Sequence, residues 1–189
     1  LSIKAALSAI NFDTRWITFK RPNSLQAPHL WRRWLCDRGS LTKHLIAASG
    51  NQFRVDLQHS DWQFPCRSEA NMLGIKHRQV ALIREVKLKG NDQTYVFART
   101  VIPASTLTGR EKQLSMLGNR SLGTVLFSDP SMRRGKLQIS RLRLDSGEQV
   151  WARRSLFYLS GKPLLVCEVF MPILADLDYQ PPLLPETNL

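Results

Sequence analysis

The sequence predicts an α+β fold: a single domain with an antiparallel sheet and helices packed on one face. Two observations carry this reading. Alternating runs are joined by short turn segments at Lys89-Gly90-Asn91-Asp92, Asp145-Ser146-Gly147-Glu148 and Ser160-Gly161-Lys162-Pro163, which implies hairpins. Helical spacing is confined to residues 28–48 and 105–128, so helices do not alternate strictly with strands. A length of 189 residues, 43% hydrophobic and 22% charged, suits one domain with a real core.

Residues 1–24 read as a lead-in that ends in Arg21-Pro22-Asn23-Ser24. No cleavage site follows its apolar start, so no signal peptide is expected. Pro28 suits a first helical turn, and Leu30, Trp31, Trp34 and Leu35 lie at helical spacing up to Cys36. The two tryptophans read as core, with a stacking platform as the alternative. Ser40 can cap a second helix, Leu41–Ala48, which Gly50 ends. Phe53, Val55 and Leu57 alternate as a strand, and Ser60–Asn71 reads as a loop.

Gln79–Leu88 is a strand with Val80, Leu82, Arg84, Val86 and Leu88 on one face and Ala81, Ile83, Glu85 and Lys87 on the other. After the turn, Tyr95–Ile102 returns, with Tyr95, Phe97, Arg99 and Val101 on one side. Thr108-Gly109-Arg110-Glu111 has the pattern of a capping box opening a helix to about Leu117. A short helix over Leu122–Ser128 follows, then strands near Leu137–Leu144 and Val150–Leu159. The proline-rich tail, Asp176–Leu189, is expected to dock on the surface or to lack order.

The formal charge of +12 raises nucleic acid as a partner, yet the basic residues are scattered and no RNA-binding or zinc-finger spacing accompanies them. A diffuse positive field equally suits a small anionic substrate. Cys36, Cys66 and Cys167 are odd in number and far apart, which reads as reduced thiols in a cytoplasmic protein. The four histidines show no metal spacing, so no metal is expected. The apolar run Pro163–Pro172 is far too short to span a membrane.

Within Ser160–Pro172, Leu164, Val166, Glu168 and Phe170 share one face. An unpaired carboxylate among apolar neighbours must stay protonated or find a cation, which marks Glu168 as a site candidate. A solvent-facing glutamate on an edge strand is the competing reading. Arg84 is its mirror image, the polar exception on the more apolar face of its own strand.

The segments REVKL…ARTVIPASTLTG (84–109), LGNRSLGTVLF (117–127) and WARRSLFYLSGKPLLVCEVFMP (151–172) closely resemble the bacterial chorismate pyruvate-lyases in residues, order and separation. The similarity runs from about Trp31 to Pro172, strongest from Val80 onward and thin across 51–77. It implies a six-stranded antiparallel sheet with an enclosed ligand pocket under helical flaps. It implies a cofactor-independent enzyme that converts chorismate to 4-hydroxybenzoate and pyruvate, the first committed step toward ubiquinone. Carried over residue by residue, Arg84 and Glu168 match the family's pocket arginine and glutamate. Leu41 and Leu122 match ligand-contacting flap positions, and Arg99 matches a second arginine near the pocket. A monomer is expected, without nucleic-acid partners or stable membrane insertion.

Chorismate carries two carboxylates, a 4-hydroxyl and an enolpyruvyl ether at carbon 3. Losing the proton at carbon 4 and enolpyruvate at carbon 3 makes the ring aromatic, so the protein mainly orients substrate and stabilises developing charge. Arg84 can grip a carboxylate in bidentate fashion. Glu168 can accept from the 4-hydroxyl, either as the proton acceptor or as an orienting group beside an internal elimination. A non-catalytic sensor of small aromatic acids on the same fold is the alternative.

Overall fold

The computed structural model describes residues 10–18 and 27–182. In chain order these form β1 (Ile17–Thr18), α1 (His29–Cys36), α2 (Leu41–Ala48), β2 (Phe53–Gln63), α3 (Arg67–Leu73), β3 (Ala81–Gly90) and β4 (Gln93–Pro103). A 3-10 helix over Gly109–Met116, α4 (Leu122–Ser128), β5 (Arg133–Arg143), β6 (Gln149–Leu159), β7 (Lys162–Phe170) and a 3-10 turn at Pro172–Asp176 complete them. The strands make one sheet in the order β1-β5-β6-β7-β4-β3-β2, every pair antiparallel. The α+β expectation holds, and the short edge strand β1 adds a seventh strand to the six implied. Residues 1–9 and 19–24 of the expected lead-in, and 183–189 of the expected tail, lie outside the described residues.

The β3–β4 hairpin sets the register of the sheet's centre. Asn91 and Asp92 both take positive φ, 50° and 64°, as a type I′ turn requires. Gly90 precedes them because a Cβ there would sit 2.3 Å from the Tyr95 ring and 2.7 Å from Ser49 Cβ, at the end of α2. Glu85 consequently faces Arg99, while Arg84 faces Thr100 on the opposite side of the sheet.

One face of the sheet carries two apolar clusters. Trp34, Leu35, Leu41 and Leu45 of α1 and α2 pack on Val55, Val86, Leu88, Ala98 and Phe170. Leu114 and Leu117, with Leu122 and Leu126 of α4, pack on Leu82, Ile102, Phe157 and Val166. Trp34 is fully buried, so it is core and not a platform.

Helices on one face only is corrected. The stretch expected as a loop continues β2 to Gln63 and then forms α3, which lies against the other face with Leu73 beside Ile83, Val101 and Leu165. Ile10 and Phe12 cover the rest of that face through Phe97, Cys167 and Val169. The helix expected after Thr108 is a 3-10 helix. Thr108 makes no capping bond: its hydroxyl donates to the Ser105 carbonyl at 3.3 Å, and Glu111 accepts from Lys162 Nζ at 2.7 Å.

Candidate functional site

Between the two clusters, where α2 meets α4 over the sheet, lies a cavity of about 40 Å³. Its floor is Arg84 and Val86 of β3, Ala98 and Thr100 of β4, Val166 and Glu168 of β7 and Phe157 of β6; Leu41, Thr42, Ser121, Leu122 and Gly123 roof it. Four predicted site residues, Leu41, Arg84, Leu122 and Glu168, therefore share one cavity. The roof halves touch: Thr42 Oγ1 and Ser121 Oγ are 2.8 Å apart. A Cβ on Gly123 would lie 2.5 Å from Thr42 Oγ1, so glycine permits this contact.

Arg84 is 3% exposed and pairs with no carboxylate among the described residues. Its Nη2 donates to the carbonyls of Gly118 and Arg120, each at 2.9 Å, in the turn that leads into α4. Its Nε is buried without a hydrogen-bond partner. Burial of the uncompensated charge pulls its pKa down to about 10, which leaves it a cation at neutral pH. An unpaired donor on a buried cation is costly unless an anion arrives to meet it.

Glu168 lies on a central strand between β6 and β4, so the edge-strand reading does not apply. Its Oε2 accepts from Nε of Arg153, its cross-strand neighbour. Arg153 is 1% exposed and also donates from Nη1 to the carbonyls of Trp34 at 2.6 Å and Asp37 at 2.7 Å. Sequence reasoning missed this residue. Counting back equally along both strands from the Ser160-Gly161 turn leads from Glu168 to Arg153, a signal the WARRS segment contained. The Glu168 Oε1 atom has no protein partner among the described residues and is open to the cavity or solvent.

The α1–α2 junction is held by polar contacts above this pair. His44 Nε2 lies 3.2 Å from Asp37 Oδ2, and His44 Nδ1 is 2.8 Å from the Tyr179 hydroxyl. Burial pushes the Asp37 carboxyl up, but the His44 bond and the Arg153 charge outweigh it and hold it below the usual range.

Arg99 is the predicted site residue that the fold keeps away from the cavity. On the opposite face its Nε donates to Glu69 Oε1 at 2.8 Å and its Nη1 to Glu85 Oε1 at 2.6 Å. Burial works against its charge, but the two carboxylates more than reverse that and raise its pKa. There it fastens α3 to the sheet. Among the described residues no group of three His, Cys, Asp or Glu side chains is placed to hold a metal ion. No described helix is long and apolar enough to cross a membrane.

An antiparallel sheet roofed on one face by two helical segments, with a buried arginine on the floor of the cavity between them, defines the class as an α+β fold. Solved structures share the sheet architecture. The effector domain of PhnF from Mycobacterium smegmatis matches with a TM-score of 0.53 at 16% identity, over 71% of this chain and 90% of that one. The ligand-binding domain of a putative GntR-family transcriptional regulator from Bordetella bronchiseptica matches at 0.52 and 11% identity, over 72% and 91%. At such identity the likeness is one of fold alone. Sequence resolves the family: the chorismate lyase family matches residues 14–177, and the chain belongs to it. Proteins described as probable chorismate pyruvate-lyases are 39% identical in Methylococcus capsulatus, over 74% of this chain and 93% of that relative. In Psychromonas ingrahamii the figures are 42%, 74% and 81%. In Nitrosomonas europaea they are 36%, 82% and 94%.

Proposed function

We propose that this protein is a chorismate pyruvate-lyase, a carbon–oxygen lyase that releases 4-hydroxybenzoate and pyruvate. Family membership supports the activity. The observation that carries the assignment of the site is Arg84, a buried cation without a carboxylate on the same cavity floor as Glu168. The two sit two strands apart, a separation of about 10 Å across the sheet, which lets one ring reach both with groups at opposite ends.

In this reading Arg84 binds the ring carboxylate through Nε, which satisfies its orphaned donor and replaces the cost of an unpaired charge with a charge-assisted contact. Glu168, oriented by Arg153, presents Oε1 to the 4-hydroxyl. The carbon 3–oxygen bond breaks with its electron pair leaving on enolpyruvate. The carbon 4 proton is lost, the ring becomes aromatic, and enolpyruvate takes a proton to become pyruvate. Leu41 and Leu122 enclose the ring from α2 and α4, which act as the flaps of an enclosed pocket and keep water out. The net positive charge of the chain favours capture of a dianion.

The test is an ultraviolet time course of the purified protein with chorismate, with pyruvate assayed in parallel. Equimolar 4-hydroxybenzoate and pyruvate are expected. Tight binding of 4-hydroxybenzoate without turnover would replace the lyase with a sensor on the same scaffold.

A further inference from the structure

We propose that Arg134 is a second carboxylate anchor of this site, holding the enolpyruvyl carboxylate of the substrate while Arg84 holds the ring carboxylate. The proposal rests on the chorismate reading above and extends it to a residue outside the motifs that carry the family resemblance.

The register of the sheet supplies the geometry. Arg84 pairs with Thr100, Thr100 with Val166 and Val166 with Ser155, one continuous row across four strands. Arg134, on β5, reaches the far end of that row and donates from Nε to Ser155 Oγ at 3.2 Å. Two guanidinium groups thus bracket the row from opposite ends. Glu168 stands between them, one side chain further along the same face of β7.

The hydrogen bonding separates the arginines near Glu168. Arg153 already holds a carboxylate, Glu168, through Nε, and its Nη1 donates to two backbone carbonyls; Arg134 bonds to no carboxylate among the described residues. Arg134 has Nε on Ser155 and Nη1 on the Asp37 carbonyl at 3.2 Å. Its Nη2 has no protein partner among the described residues, and Arg134 stands outside the cavity lining, next to its Phe157 wall. The flat guanidinium lies over the Phe157 ring, 5.0 Å from its centroid, and Phe157 lines the cavity. Its donor edge is therefore held in place by an aromatic wall of the site.

Local charge points the same way. Arg134 lies in the field of Arg153 and Arg38 on one side and of Glu168 and Asp37 on the other, and both carboxylates already face other partners, Glu168 with Arg153 and Asp37 with His44. Burial, and then the neighbouring Arg153, pull the Arg134 pKa down to about 10, and a bound carboxylate would relieve both effects.

The substrate's shape completes the argument. With the ring carboxylate on Arg84 and the 4-hydroxyl on Glu168, the ether at carbon 3 leaves the ring beside Glu168. One flank of Glu168 is the β4–β3 side that Arg84 occupies; the other is the β6–β5 side that Arg134 occupies. 4-Hydroxybenzoate lacks the second carboxylate, so only chorismate would use this anchor.

That difference is the experiment. For Arg134→Gln, KM for chorismate should rise about 10- to 100-fold, the range of a lost charge-assisted contact, with kcat within a few-fold of wild type. The Kd for 4-hydroxybenzoate, measured by calorimetry, should stay within about twofold. Arg134→Lys keeps the charge without the planar fork and should give a smaller KM increase with the same unchanged Kd; it also serves if the glutamine variant does not fold. Parallel weakening of chorismate and 4-hydroxybenzoate would show that Arg134 only supports the α1–α2 junction, which overturns the proposal. An unchanged KM overturns it as well. Wild-type turnover of chorismate secures the reading beneath it; inert wild-type protein would overturn that reading, and the proposal with it.

Discussion

Arg153 and Arg84 are both almost fully buried, yet their surroundings assign them opposite tasks. Arg153 is paired with the Glu168 carboxylate and two carbonyls, whereas Arg84 spends one amino group on two carbonyls and leaves Nε unmet. Removing one member of a buried pair strands the other charge, so Arg153→Leu should lose about 3–5 kcal/mol in urea denaturation. Arg84 has no partner charge to strand. Arg84→Leu should therefore cost at most about 1–2 kcal/mol, since only the two carbonyl bonds are lost. It should nevertheless weaken 4-hydroxybenzoate binding about 100-fold, as expected for a lost contact between a buried cation and a carboxylate. Equal stability losses in the two variants would mean that Arg84 is a structural arginine.

At the scale of elements, charged contacts hold α3 and the 3-10 helix in place, and a buried carboxylate serves each. Glu69 of α3 is 1% exposed and holds Arg99. Glu69→Ala should lower stability by about 3 kcal/mol or more, with chorismate KM unchanged, because this pair lies on the face away from the cavity; a KM shift above about threefold would place Arg99 back in the site. Lys162 holds Glu111 well below its ordinary 4.5, at about 2. A depressed carboxyl pKa adds stability above pH 4.5 that fades as pH falls toward 2. The denaturation midpoint of wild type should thus exceed that of Lys162→Met near neutrality, with the gap closing across that window.

What the sequence made legible follows from the same contacts. The β3–β4 hairpin, α1 and α2 were readable because turn residues and apolar spacing are local signals. The pairing of Arg84 and Glu168 in one cavity was readable because each breaks an apolar face. α3 was hidden because RSEANML has no long apolar stripe and begins after a cysteine, not a usual capping residue. The face taken by Arg99 was hidden too, since strand alternation gives two faces but only the hairpin register says which one joins Glu85. Arg153 needed the β6–β7 register as well.

For the whole molecule, the proposed closure of α2 on α4 sets the limit on turnover. The cavity of about 40 Å³ is well below the roughly 150 Å³ that accommodates benzene in an engineered protein cavity, so it must widen to take an aromatic acid, and the flap reading puts that opening at the roof. The same step must release the product, which predicts inhibition by added 4-hydroxybenzoate. The contact between Thr42 Oγ1 and Ser121 Oγ, at 2.8 Å, joins the two halves of the roof and offers a latch. Replacing both by cysteine brings two sulfurs to a separation that a small adjustment converts to a disulfide. Competition from native thiols is weak: burial raises the pKa of Cys36 to about 11, and those of Cys66 and Cys167 as well. The oxidised Thr42→Cys/Ser121→Cys protein should neither turn over chorismate nor bind 4-hydroxybenzoate, and reduction should restore both. The reduced form is its own reference, so any effect of the substitutions themselves cancels. If mass spectrometry shows the bond in place and the oxidised protein still turns over at the reduced rate, substrate does not pass between α2 and α4. The entrance would then lie elsewhere, and the flap reading would fall while the chemistry at Arg84 and Glu168 stood.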